Sequence, residues 1–312
     1  MMKIEGLITA TFCPFNPDGS LNISLIPIIV EKAIADGLTG VFVCGTNGEG
    51  PNLTIEERMS IAEEYVKVVD NRILVIVHVG HNSIAESRKL AKHAVAIGAD
   101  AISSVASFYF KLSSVYNLVE SIAAIAAAAP DLPFYYYHIP ALTGVAMDMV
   151  EFLKLGEELI PNLAGIKYTA STLHEYQACL NYKNGKFDIL FGYDEMLLSA
   201  LSVGAKGAVG STYNFAAGLY LQIMNLYRQD EKEAARKLQL TAVEMVRCLV
   251  QFPSLPAQRA IMKMIGLDLG TCRLPLKELS EKESNLLKAG LEAIDFFAIV
   301  ENCRGPVKKV LF

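Results

Sequence analysis

Residues 41–69 read VFVCGTNGEGPNLTIEERMSIAEEYVKVV: a short apolar run, a polar turn rich in glycine, then a long helical-period segment. The run at 41–44 is β-branched and aromatic and too short for a helix, so it reads as a strand. Thr54 begins the second part as a helix cap, and Glu57, three residues on, completes a capping box over 54–69. Strand, turn and helix together make one βα unit.

The same unit recurs outward in both directions. Strand candidates are 7–12, 41–44, 73–79, 101–107, 134–139, 164–169, 188–191 and 207–210, each followed by a helix-like segment. Eight parallel βα units predict an α/β fold of the closed (β/α)8 TIM-barrel type. An open doubly wound sheet uses fewer units and a Gly-rich phosphate turn after its first strand, and Thr9-Ala10-Thr11-Phe12 is no such turn. After Arg228 only helical patterns remain, at 232–250, 256–265 and 280–300. The expected division is a barrel with the active site over 1–228 and a C-terminal helical extension over 229–312.

Composition agrees with one large core: 312 residues, 52% hydrophobic and 20% charged. Net charge is -5, and no run of Lys and Arg stands out beyond Lys308-Lys309, so neither nucleic acid nor an anionic membrane is an expected partner. Small molecules are. Cys13, Cys44, Cys179, Cys248, Cys272 and Cys303 form no Cys-x-x-Cys pair and have no His at zinc spacing, which predicts a reduced, cytoplasmic chain without a metal site. The N-terminus lacks an apolar signal core, and the Ala-rich stretch before Pro130 is too short to span a bilayer.

Chemistry in a barrel gathers where strands end, because those ends converge on one mouth. The strand ends here supply Thr11, Thr46-Asn47-Gly48-Glu49, His78, Tyr109, Tyr137, Lys167 with Thr169, Gly192-Tyr193-Asp194-Glu195, and Ser211-Thr212. Lys167 interrupts an apolar strand, and alternation puts Gly165, Lys167 and Thr169 on one face. If that face looks inward, desolvation frees the amine as a nucleophile; if outward, the lysine simply reaches water. Tyr137 shares a face with Tyr135 one strand earlier and is either a proton shuttle or a core ring, while His138 points the opposite way as a packed ring. The turn at 45–50 offers N–H groups for a carboxylate, or is only a tight connection. Asp194-Glu195 can bind polyol hydroxyls or open the next helix.

Gly45-Thr46-Asn47-Gly48-Glu49, Tyr137-His138-Ile139-Pro140 and Gly165-Ile166-Lys167-Tyr168-Thr169 occur in that order. Gly98-Ala99-Asp100, Gly192-Tyr193-Asp194-Glu195 and Gly207-Ala208-Val209-Gly210-Ser211-Thr212 extend the match over nearly all of 6–220. Together they resemble the family of dihydrodipicolinate synthase and N-acetylneuraminate lyase, pyruvate-lysine (class I) aldolases. The resemblance implies that Lys167 forms a Schiff base with a 2-keto acid and that no cofactor is needed. It also implies that Tyr137 moves the proton, tuned by Thr46 and by Tyr109 from a neighbouring subunit. Thr46 and Asn47 would hold the carboxylate, Gly192, Asp194, Glu195 and Ser211 the sugar hydroxyls, and Thr169 the acetamido-sugar chain. Relatives are mostly tetramers, which implies a homotetramer.

Residues 135–144 are most similar to the N-acetylneuraminate lyase branch. Leu142 is the specificity position: dihydrodipicolinate synthases have an arginine there for the carboxylate of their aldehyde, and an aliphatic side chain cannot replace that fork. The implied reaction is reversible cleavage of N-acetylneuraminate to N-acetylmannosamine and pyruvate. Two positions depart from the family pattern: Asn47 stands where many members have Thr, and Ser107-Phe108-Tyr109-Phe110 replaces a Pro-Phe-Tyr-Tyr type segment. The alternatives are another pyruvate-dependent aldolase or dehydratase, dihydrodipicolinate synthase-like enzymes included, or a non-catalytic barrel.

Overall fold

The computed structural model of the chain describes residues 3–303, so Met1, Met2 and the basic pair Lys308-Lys309 lie outside the described residues. Eight strands, β1 (Gly6–Ala10), β2 (Gly40–Val43), β3 (Leu74–His78), β4 (Ala101–Val105), β5 (Phe134–His138), β6 (Leu163–Tyr168), β7 (Asp188–Phe191) and β8 (Gly207–Gly210), follow one another in chain order. Each pairs in parallel with the next and β8 pairs with β1, closing a (β/α)8 TIM barrel. Every expected strand is present, though β1 and β4 stop two residues early. Past Ala10 one ladder bond survives, from Thr11 N to the Phe42 carbonyl at 3.1 Å, before the chain leaves the sheet.

Around the strands run α1 (Ile26–Ala35), α2 (Ile55–Val69), α3 (Ile84–Ile97), α4 (Val115–Ala126), the single turn α5 (Pro140–Thr143), α6 (Met149–Leu159), α7 (Leu173–Asn181), α8 (Leu197–Ser202) and α9 (Tyr213–Arg228). The strand period of two sorts side chains between two buried clusters. Ile8, Phe42, Ile76, Tyr135, Tyr137, Leu190 and Val209 fill the barrel interior. Their neighbours Leu7, Val41, Val75, Ile102, Tyr136, Ile166 and Tyr168 lie between sheet and helices. Each such side chain contributes about 1.5–3 kcal/mol on leaving water. The Thr54–Glu57 capping box forms at the start of α2, with both reciprocal bonds made, at 3.2 Å and 2.9 Å.

After the barrel come α10 (Lys232–Leu249), α11 (Ser254–Met264), α12 (Glu281–Ala293) and α13 (Phe296–Asn302). The segment 280–300, expected as one helix, is two. Asp295 adopts the left-handed conformation (φ 53°), one that Asp tolerates better than most residues. The break swings Phe296 into the core, edge-on to Phe215 at 6.4 Å between centroids. Ala242, Met245, Leu249, Leu287 and Leu291 belong to the same outer cluster as the barrel helices, so the extension packs directly onto the barrel. Among the described residues no helix is long and apolar enough to cross a membrane.

Candidate active site

β6 delivers Lys167 to the barrel interior. A register shift lets Phe134 pair with Leu163 but Tyr135 with Gly165, and from there Tyr137 and Lys167 stand opposite each other. Gly165 is obligatory at that crossing, because a Cβ would sit 1.6 Å from the Asp188 carbonyl oxygen. The Lys167 amine is buried and lies 4.0 Å from the ring centroids of both Phe42 and Tyr137. Burial pushes its pKa down to about 7, with the Asp194 carboxylate pulling the other way. A neutral amine at neutral pH is therefore accessible there, and that is the state that attacks a carbonyl.

The Tyr137 phenol is buried beside it. Loss of water pushes its pKa up to about 12, while the neighbouring Thr46 and Thr169 hydroxyls draw it back. His78 lies below the pair, its ring centroid 6.0 Å from that of Tyr137, and burial with the nearby Arg58 charge keeps it neutral. His138 faces outward, as its alternation predicts, between Tyr136 and Tyr168.

The turn after β2 starts and ends in left-handed residues, Cys44 (φ 59°) and Glu49 (φ 51°). Gly50 permits this closure, since a Cβ there would strike the Cys44 carbonyl oxygen at 2.2 Å. Glu49 N and Gly50 N donate to the carbonyls of Thr46 and Gly45, each at 3.0 Å. Among the described residues no acceptor is seen for the N–H groups of Gly45, Thr46, Asn47 and Gly48, which leaves a run of adjacent donors in the turn, Thr46 and Asn47 among them, for an anion.

Opposite, Asp194 sits at the start of a single 3-10 turn (Asp194–Met196) after β7. Its Oδ2 accepts from Thr212 N at 2.8 Å and from Thr212 Oγ1 at 2.7 Å, and its Oδ1 is buried without a partner among the described residues. Burial raises its pKa and that of Glu195.

A cleft of about 260 Å³ joins these groups. Thr46, Asn47, Tyr137, Lys167, Thr169, Gly192, Asp194, Glu195 and Ser211 all line it. Tyr109 and Leu142 do not. Tyr109 is 76% exposed on the loop after β4, edge-to-face with Phe110, and Leu142 is 63% exposed on α5. Lys111 joins their two segments, donating to the carbonyls of Phe108 at 2.8 Å and Thr143 at 3.0 Å.

Strand-end reasoning missed the far wall, which α10 and α11 supply through Val246, Leu249, Val250, Ser254 and Gln258. No motif marks these positions, and only the packing of the extension brings them to the mouth. Among the described residues no three His, Cys, Asp or Glu side chains converge as a metal would require, and the six cysteines are unpaired.

Comparison with known proteins places this geometry. The dihydrodipicolinate synthetase family model matches residues 3–294. N-acetylneuraminate lyase of Sus scrofa is 38% identical over 304 residues, covering 96% of this chain and 95% of that protein. The human N-acetylneuraminate lyase is also 38% identical over 304 residues, with the same coverage. Among solved structures, N-acetylneuraminate lyase (sialic acid aldolase) from Aliivibrio salmonicida superposes with a TM-score of 0.92 at 40% identity, over 95% of this chain and 98% of that one. With its model matched over nearly the whole barrel and extension, the chain belongs to the dihydrodipicolinate synthetase family.

Proposed function

We propose that the chain is an N-acetylneuraminate lyase, a carbon-carbon lyase that cleaves N-acetylneuraminate to N-acetylmannosamine and pyruvate through a Schiff base on Lys167. The observation that carries the reading is the buried Lys167 amine, its pKa near 7, beside Tyr137 at the base of a cleft walled by polar groups. The lyase names of relatives 36–41% identical, among them those of Mus musculus and Xenopus tropicalis, support the substrate.

Neutral Lys167 attacks the C2 ketone of the open-chain sugar acid, and loss of water gives an iminium. The carboxylate rests on the free N–H groups of Thr46 and Asn47. The Tyr137 phenol gives its proton to the hydroxyl that leaves as water, and the phenolate so formed accepts the C4 hydroxyl proton as the C3–C4 bond breaks and its electron pair passes into the iminium to leave an enamine. Protonation at C3 and hydrolysis release pyruvate and regenerate the amine. Asp194, Glu195, Gly192 and Ser211 hold sugar hydroxyls, and Thr169 the acetamido-sugar chain. The scheme needs no cofactor.

The exposed Tyr109–Phe110 pair beside Leu142 suits burial against a second copy of the chain. We read the assembly as a homotetramer, as the resemblance implies, in which Tyr109 enters a neighbour's site, and we read Leu142 as the specificity position of its own chain's site, in a cytoplasmic enzyme. The test is pyruvate release from N-acetylneuraminate by the purified protein, with light scattering for its mass. Release of pyruvate from a different keto acid only would favour the other aldolases of the family, and no reaction together with no reducible adduct would favour a non-catalytic barrel.

A further inference from the structure

The extension grips the carboxylate turn at two points. Asn47 Nδ2 donates to Gln258 Oε1 at 3.0 Å, with both side chains buried, and Gln258 Nε2 donates to Ser254 Oγ at 3.1 Å, one turn earlier on α11. The next residue, Arg259, donates to Glu49 Oε1 at 3.0 Å in an ion pair almost closed to solvent. The other Glu49 oxygen accepts the Arg273 N–H at 3.0 Å.

The two contacts differ in what they do. Glu49 points away into the protein, and its ion pair anchors the end of the turn. Asn47 contributes one of the turn's N–H groups without an acceptor among the described residues, and Gln258 lines the cleft with it. A peptide N–H can grip an anion without reorganisation only if the residue carrying it is already fixed. Asn47 is a central residue of the turn that Glu49 N closes on the Thr46 carbonyl, but neither of the turn's two bonds uses the peptide groups of Asn47 itself, and only its carboxamide ties it to the helix across the cleft.

We propose that Gln258 is a positioning residue for the keto-acid carboxylate: by holding the Asn47 carboxamide, it presets the Thr46–Asn47 N–H pair in its anion-binding geometry. The inference rests on the Schiff-base reading and deepens it. It places part of the pyruvate affinity on a helix outside the barrel, on a side chain that touches neither the reacting carbon nor the lysine.

The test is borohydride trapping of the full-length protein over a range of pyruvate concentrations, with thermal melting alongside. Gln258→Met keeps length and apolar packing but removes both hydrogen bonds. Half-saturating pyruvate should rise about tenfold, the scale of one buried hydrogen bond. The trapping rate at saturation and its pH midpoint should stay at wild-type values. Asn47→Ala, which reads the same contact from the other side should the first variant misfold, should give a similar rise. The double variant should be no worse than the weaker-binding single. Unchanged half-saturation in a folded variant, additive losses, or a loss confined to the maximal rate would overturn the inference while leaving the wild-type adduct intact. A wild-type protein that traps no pyruvate would remove the Schiff-base reading itself.

Discussion

Lys167 Nζ lies 4.0 Å from the centroid of the Tyr137 ring, and the two residues are register partners on β6 and β5. The proposed nucleophile and proton carrier are thus placed by one strand pairing. A barrel core that is rigid for packing reasons is at the same time the scaffold that orients the chemistry.

The depressed Lys167 pKa has two consequences of opposite kind. Cleavage should fall about tenfold per pH unit below a midpoint near 7, as the amine protonates. Stability should respond as well: between about 7 and the ordinary value of 10.5 the unfolded chain holds a proton that the native one has lost, so stability rises with pH across that window. Lys167→Met should therefore melt higher than wild type at pH 6, by up to about 5 kcal/mol in unfolding free energy, with the gap closing above pH 10.5. Equal melting at pH 6 would mean that the charge is not desolvated.

Tyr137→Phe should lower cleavage by about 10² or more while pyruvate trapping at Lys167 persists, since the phenol moves the C4 proton and the amine forms the imine. Mass spectrometry of the reduced adduct separates the two steps. A near-normal cleavage rate would take Tyr137 out of the reaction.

Gly210 leaves room for Asp194: a Cβ at 210 would lie 1.8 Å from Asp194 Oδ1. Gly210→Ala should push the carboxylate off Thr212 and cost sugar cleavage at least tenfold, the loss expected for one charge-assisted hydrogen bond. The pyruvate half-saturation should barely change, because the turn at 46–50 is on the opposite wall. Parallel loss of both would show that the substitution distorts the whole mouth.

Without a cation at position 142, aspartate semialdehyde would bring an unpaired carboxylate into the site, at a cost of several kcal/mol. Condensation of pyruvate with N-acetylmannosamine should be readily measured and that with aspartate semialdehyde negligible. Faster turnover of the semialdehyde would overturn the lyase assignment and keep the Schiff-base chemistry. Leu142→Arg should weaken sugar cleavage.

The barrel was legible because each strand announces itself by a short β-branched or aromatic run between helical segments, and the Thr54 cap by residue type and spacing alone. Strand ends then yielded eleven of the residues that line the cleft, from Thr46 to Thr212. The wall from α10 and α11 was not legible, since Val246 and Gln258 look like ordinary helix positions until tertiary packing brings them to the mouth. Local pattern also could not reveal the break at Asp295, where the burial of Phe296 overrides a continuous helical period.

The bonds from Asn47 to Gln258 and from Glu49 to Arg259 span 211 and 210 residues of sequence. Contacts of such separation close long loops, and neither can form before α11 exists. During synthesis all eight strands leave the ribosome before α11 does, so the turn at 45–50 is still without its two bonds to α11 when the last strand emerges. If the proposed grip is right, a chain cut short after α9 would carry Lys167 and Tyr137 but lack the helix that holds the turn in place.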